Sequence, residues 1–207
     1  GRIVGPSALV LAGDRFMVAD GPQRRERVQM FDLDGTRVSG FWLPGRATPR
    51  VTLDAFTLSG VSSLQWTGQS ILMSQPEFGG LMTEFTLGGQ PFRTLGVFRN
   101  TGHGANRDVH LALNSGLPLV DPTGGYFFVF HAGLPVFRKY DADGRLLFER
   151  HIEGPELDAM IQALPPRWPH PPDESGRGLP LIRPTVRAAA IDPNGNLWVS
   201  LDVPYTY

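Results

Sequence analysis

Apolar residues along this chain come in short runs, each closed by a turn. From Ala188 to Ser200 the run AAAIDPNGNLWVS reads as a strand, a tight turn and a second strand. The pattern recurs. The segments VLAGDRFMVAD, QWTGQSILMSQ, DPTGGYFFVFH and DPNGNLWVSLD align on Gly13, Gly68, Gly124 and Gly195, at offsets of 55, 56 and 71 residues. A second anchor lies further along each unit. In FDLDGTRV, FTLGGQPF and YDADGRLL it puts Gly35, Gly89 and Gly144 at offsets of 54 and 55. Two independent anchors holding one spacing define an internal repeat.

Each repeat divides into four strands. In the third unit the expected strands cover residues 117–120, 126–131, 136–140 and 145–152, with Asp121 to Gly125 and Asp141 to Gly144 as turns. Asp-Gly and Asn-Gly pairs suit hairpin turns because they tolerate positive φ, which twists the flanking strands correctly. β-branched and aromatic residues dominate between the turns. The fold class is therefore all-β: a β-propeller of four-stranded antiparallel blades. The blade units fall at about residues 5–43, 57–98, 111–153 and 185–207 of one domain, with an insertion over 154–184. The last unit holds only two strands of a blade. Three and a half blades do not close a ring, so the expectation is part of a larger propeller. The alternative is a four-bladed protein whose last half-blade is borrowed from a partner.

Composition agrees with many short strands. Of 207 residues, 25 are Gly and 19 are Pro, and only 19% are charged. A formal net charge of −1 argues against a nucleic-acid surface. The chain has no cysteine, which excludes disulfides, thiolate metal sites and a cysteine nucleophile. No apolar run approaches the roughly 18 residues of a membrane span.

The stretches IDPNGNLWVS, YDADGRLLFE and FDLDGTRVSG resemble the six-bladed propellers of the NHL-repeat and gluconolactonase-like type. The resemblance covers the chain at three full units and half of a fourth. It implies a bacterial, periplasmic or secreted protein. It does not single out a function, because that superfamily includes scaffolds, lyases, lactonases and peptide binders.

The long third interval marks the insertion. Leu157, Met160, Ile161 and Leu164 have helical spacing, which Pro165 and Pro166 end. The remainder is Pro-rich and reads as extended. It is either a surface elaboration or a docking segment, with Trp168 flanked by prolines as an exposed anchor and His170 beside it. Strand direction sorts the other loops. The tight Asp-Gly and Asn-Gly turns emerge on one face, and the variable loops (21–27, 44–56, 98–109, 132–135 and the insertion) on the other.

Three sets of polar residues are candidates for chemistry. The loop NTGHGANRDVH gathers His103, Arg107, Asp108 and His110, either a site where a His beside a carboxylate serves as base or ligand, or a polar loop. The seventh position after each first-anchor glycine is Asp20, Gln75, His131 and Asp202, either a ring at the channel mouth or strand ends reaching water. The loop PQRRERV holds Arg24, Arg25 and Arg27 with Glu26, facing an acidic partner, anionic lipid or solvent. Asp32-x-Asp34-Gly35 and Asp141-x-Asp143-Gly144 lack the remaining ligands of a calcium loop and read as turns. Trp66, Trp198, Phe127, Phe128 and Phe130 read as blade packing.

No G-x-S-x-G elbow, phosphate loop or H-E-x-x-H motif occurs. The expected function is a non-catalytic binding or scaffold propeller with no cofactor. It meets a protein partner through the variable face and the insertion, within a larger extracytoplasmic assembly that associates with a membrane complex. The alternative is a gluconolactonase-like hydrolase or lyase, for which the resemblance implies a divalent cation held by acidic and amide side chains from several blades.

Overall fold

The structure is a computed structural model that describes residues 2–21, 26–43, 48–53, 56–57, 63–170 and 178–202. Arg24 and Arg25 of the arginine-rich loop lie outside the described residues. Three four-stranded antiparallel sheets follow one another along the chain. The first holds β1 (Pro6–Ala12), β2 (Arg15–Asp20), β3 (Arg27–Asp32) and β4 (Arg37–Trp42). A short hairpin follows, β5 (Thr52–Leu53) and β6 (Phe56–Thr57). The second sheet holds β7 (Gln65–Trp66), β8 (Ile71–Met73), β9 (Met82–Phe85) and β10 (Pro91–Leu95). Helix α1 (Arg107–Leu113) leads into the third, formed by β11 (Gly116–Val120), β12 (Tyr126–Phe130), β13 (Val136–Tyr140) and β14 (Leu146–His151). Then come helix α2 (Pro155–Gln162), β15 (Leu181–Ile182) and a two-stranded sheet of β16 (Val186–Ile191) and β17 (Leu197–Leu201).

Within each full sheet the strands pair in chain order. The first strands of successive sheets lie beside one another, β1 against β7, β7 against β11 and β11 against β16. Up-and-down sheets stacked with their first strands together are propeller blades. The period-2 alternation of each strand supplies one face to each neighbour. Met17, Ala19 and Met30 of the first sheet meet Ile71, Met73 and Phe85 of the second. Leu72, Leu81 and Met82 meet Phe128, Phe130 and Tyr140 of the third. Leu119, Phe127 and Val129 meet Val186, Ala189, Ile191 and Val199 of the last. Every blade-to-blade contact is thus a hydrophobic core of its own.

The repeated turns have one chemistry. Asp32, Asp141 and Asp192 each accept, on the backbone carbonyl, the N–H of the glycine three residues on, and on Oδ1 the N–H of the residue after it. Those aspartates are occupied as turn formers. At the second anchor the glycine is required twice over. Gly89 and Gly144 have φ of +82°, and a Cβ there would lie 2.2 Å from the Phe41 ring and 2.4 Å from Leu95 Cδ2, each on the last strand of the preceding blade. The conserved spacing of the repeat is therefore also the spacing of blade contacts.

Two expectations change. The loop 98–109 does not run unbroken, because α1 begins inside it. Asn106 caps that helix by accepting the Val109 N–H on Oδ1 at 3.2 Å, and Val109, Ala112 and Leu113 give it a buried side. Trp198, expected in blade packing, is 66% exposed, because Leu197 and Val199 on the alternate positions take the face toward the third blade. Trp66 does pack against the core of the first two blades. No helix of the described residues is long and apolar enough to cross a membrane.

Candidate functional site

The three connections between consecutive blades build one layer. Leu181 and Ile182 of β15 pair in parallel with Thr52 and Leu53 of β5, so the insertion after the third blade joins the connection after the first. The N–H of Thr52 donates to the Pro180 carbonyl and that of Leu181 to the Pro169 carbonyl, both at 2.8 Å. The connection between the second and third blades supplies α1. Val51, Val109, Ala112, Leu113, Ala132, Trp168 and Ile182 form the core of this cap. α2, which Pro155 starts, contributes from its C-terminal side through Leu164.

Trp168 is therefore no exposed anchor. It is 7% exposed and fills the cap core, packed with Val51, Val109, Ala112, Leu113 and Ile182. Its indole N–H is enclosed and has no acceptor. His170, two residues on, stays exposed.

Ala132, one residue beyond the end of β12, joins the cap core, and the four seventh-position residues lie at or just beyond the ends of second strands. Asp20 is 2% exposed. It accepts Arg27 Nε and Nη2 at 2.7 and 2.9 Å and the Val4 N–H at 2.8 Å, with Gln29 Nε2 at 3.3 Å. Burial pushes its carboxyl up, but these hydrogen bonds and the Arg27 charge outweigh it and leave the group below the usual carboxylate range. Arg27 thus leaves the arginine-rich loop for an internal pair. Gln75 is fully buried, with Nε2 3.8 Å from Met73 Sδ and Oε1 without a partner. His131 accepts the N–H groups of Thr185 and Val186 on its carbonyl, and its ring Nδ1 is enclosed without a partner. Burial holds its imidazole below the ordinary histidine value, with the Asp202 charge opposing. Asp202 accepts Arg187 Nη2 at 2.6 Å. Of the four, only His131 and Asp202 come within electrostatic reach of each other. The set does not form an open ring at a channel mouth: Asp20 and Gln75 are buried, and Asp20 and Asp202 are each engaged by an arginine.

The other cluster stays on the outer surface. His110 lies on α1, its Nδ1 2.8 Å from Thr101 Oγ1 and its ring edge-on to Phe98. His103 precedes the helix and accepts the Asn106 N–H on its carbonyl at 2.8 Å. Arg107 Nη1 donates to Asp108 Oδ1 at 3.3 Å. Beside them opens a cleft lined by Thr48, Arg50, Ala105, Asn106, Arg107 and Asp108. Sequence reasoning marked Arg107 and Asp108 but missed Thr48 and Arg50. They come from the connection between the first two blades, more than fifty residues before α1 in the chain.

Arg99 was also missed, and nothing in VFRN signals its role. Its guanidinium donates to the carbonyls of Leu113, Ala132 and Leu134 at 2.9, 2.5 and 3.0 Å and lies 4.2 Å from the Phe130 ring centroid. Burial lowers its pKa to about 10, with the Arg138 charge adding. It ties α1 to the third blade.

The cation that the family resemblance implies would be held by acidic and amide side chains brought together from several blades. Among the described residues no group of three His, Asp or Glu is placed to hold a metal. Asp20 is filled by Arg27, Asp121 by Lys139 and Thr123, and Glu84 by Arg93 and Tyr126. The chain is, in class, a protein of β-propeller-type all-β fold. No family model matches it, and no curated protein does. Among solved structures, a putative 6-phosphogluconolactonase from Bacteroides uniformis is similar with TM-score 0.50 at 12% identity, over 95% of this chain and 49% of that one. A protein of unknown function from Bacteroides caccae gives TM-score 0.48 at 11% identity, over 72% of this chain and 48% of that one. The chain thus spans about half the length of the structures it matches.

Proposed function

We propose that this chain is a non-catalytic binding propeller of the NHL-like type, acting outside the cytoplasm as part of a larger assembly. It meets a protein partner through the cap, at the cleft of Thr48, Arg50, Asn106, Arg107 and Asp108. One observation carries the reading. The three inter-blade connections are spent on a single layer with its own hydrophobic core, which holds cations, a carboxylate and an amide around an open cleft. A rigid platform with mixed charge at its surface suits a polar protein rim. The insertion takes part by fixing the platform; Trp168 serves from within. The hydrolase reading draws on the resemblance of the repeated stretches to gluconolactonase-like propellers, and the likeness to the Bacteroides uniformis structure, at 12% identity, speaks for fold alone.

The test uses affinity purification of the tagged chain from its source, with partners identified by mass spectrometry. Arg50→Glu and Asp108→Lys are expected to lose a partner that the wild type retains, while Trp198→Ser keeps it. Turnover of sugar lactones by the purified protein, dependent on an added divalent cation, would replace this reading with the hydrolase one.

A further inference from the structure

The cleft on the cap, about 560 Å³ in volume, is lined by Thr48, Arg50, Ala105, Asn106, Arg107 and Asp108. Several of its acceptors are already used within the chain. Asn106 accepts the Val109 N–H on Oδ1 at 3.2 Å and the His110 N–H on its carbonyl at 2.9 Å. Asp108 Oδ1 accepts Arg107 Nη1 at 3.3 Å, so the carboxylate of the lining is matched by the guanidinium beside it. Donors remain. Among the described residues Arg50 makes no hydrogen bond or ion pair, and neither the Thr48 hydroxyl nor the Asn106 side-chain N–H groups have an acceptor. Two arginines against one aspartate leave the lining with one positive charge in excess. The walls are also held from behind. Val51 next to Arg50, and Val109 next to Asp108, are buried in the cap core, which fixes where the donors stand.

We propose that the cleft takes an acidic peptide segment of the partner, an inference that rests on docking through the cap. A Glu or Asp carboxylate of that segment accepts both N–H groups of the Arg50 fork, with the Asn106 amide and the Thr48 hydroxyl donating to its neighbouring oxygens. A donor-rich concavity selects an acceptor ligand, since a basic segment would leave Arg50 facing a like charge. One excess positive charge suits a short run of carboxylates. It is too little for a polyanion such as nucleic acid, which many cationic contacts must neutralise. The chain's formal net charge of −1 points the same way.

Titration of the purified chain, followed through amide chemical shifts, tests this with a capped Gly-Glu-Gly-Glu-Gly-Glu peptide and its lysine counterpart as probes. The acidic peptide is expected to shift the amides of Ala105 to Asp108, and the lysine peptide to leave them in place. Arg50→Ala, at an exposed position, is expected to weaken acidic binding about tenfold with unchanged circular dichroism, and Arg50→Lys to weaken it less. Asp108→Asn, which keeps an acceptor for Arg107 but removes the negative charge, is expected to tighten it. Binding should fall as salt rises from about 50 mM to about 500 mM. Equal shifts from the two peptides, no shift from the acidic one, or wild-type binding by Arg50→Ala would overturn the proposal. A partner retained from the source and lost on Arg50→Glu, with the acidic peptide unbound, would keep docking at the cleft and refute its acidic chemistry. Acidic peptide bound at the cleft, with no partner retained from the source, would keep the chemistry and refute the docking reading.

Discussion

The glycine at the third blade's last turn offers the sharpest check on how repeat spacing and blade packing are linked. Gly144 sits at φ +82°, and its missing Cβ faces Leu95 Cδ2 at 2.4 Å. Gly13, in the first hairpin, has φ +65° and nothing within 4 Å of the same position. Alanine at either site meets the left-handed backbone penalty of about 1–2 kcal/mol. Only at Gly144 must a buried leucine, 6% exposed, also give way. Overpacking a core in this manner costs about 1–3 kcal/mol, toward the lower end here because the clashing atom is a side-chain tip. Urea denaturation is expected to show Gly13→Ala losing about 1–2 kcal/mol and Gly144→Ala about 1–2 kcal/mol more than that. The double variant Gly144→Ala with Leu95→Ala separates the contributions, since removing the leucine relieves the clash and the two losses should fall short of their sum. Equal losses for the two glycine variants, or strict additivity with Leu95→Ala, would refute the claim that this turn touches the preceding blade.

Three further outcomes are expected. Trp168→Ala should destabilise by about 3–5 kcal/mol and expose the α1 amides to hydrogen exchange, whereas Trp168→Phe should lose less than the hydrogen bond of a partnered indole would imply, because its N–H has no acceptor. Arg99→Leu should destabilise by about 3 kcal/mol or more in thermal unfolding, since three carbonyl oxygens lose a charged donor, and Arg99→Lys should recover only part. His131 has a folded pKa below its unfolded value of about 6.5, so the unfolded chain binds the proton more readily. Stability should be full above that pH and decline as pH falls below it, and His131→Gln should flatten this slope in denaturation curves taken from pH 7.5 to 5.

The twin glycine anchors, the Asp-x-x-Gly turns and the apolar runs between them depend only on neighbours in the chain, and all were legible in the sequence. Turn chemistry is local, because Asp141 Oδ1 and the Arg145 N–H it accepts are four residues apart. Strand alternation is local too, and it determined which residues of β12 would be buried against the adjacent blades. The identity of the cap was not legible. A helix capped by Asn106, a tryptophan among prolines and the pair Val51 and Ile182 acquire a common core only when connections far apart in the chain fold together. The same holds for Arg99, whose three acceptors lie 14 to 35 residues away, and for Arg50, which lines the cleft beside Arg107 and Asp108. Asp20, Gln75 and His131 were found correctly as strand-end polar residues, but whether such a residue meets water or a covering layer depends on what a distant segment does. The sequence alone determined the blades, since each is specified by short-range turn and pairing chemistry; the capped face and its cleft were decided by tertiary structure, because they exist only where three separated connections bury one another.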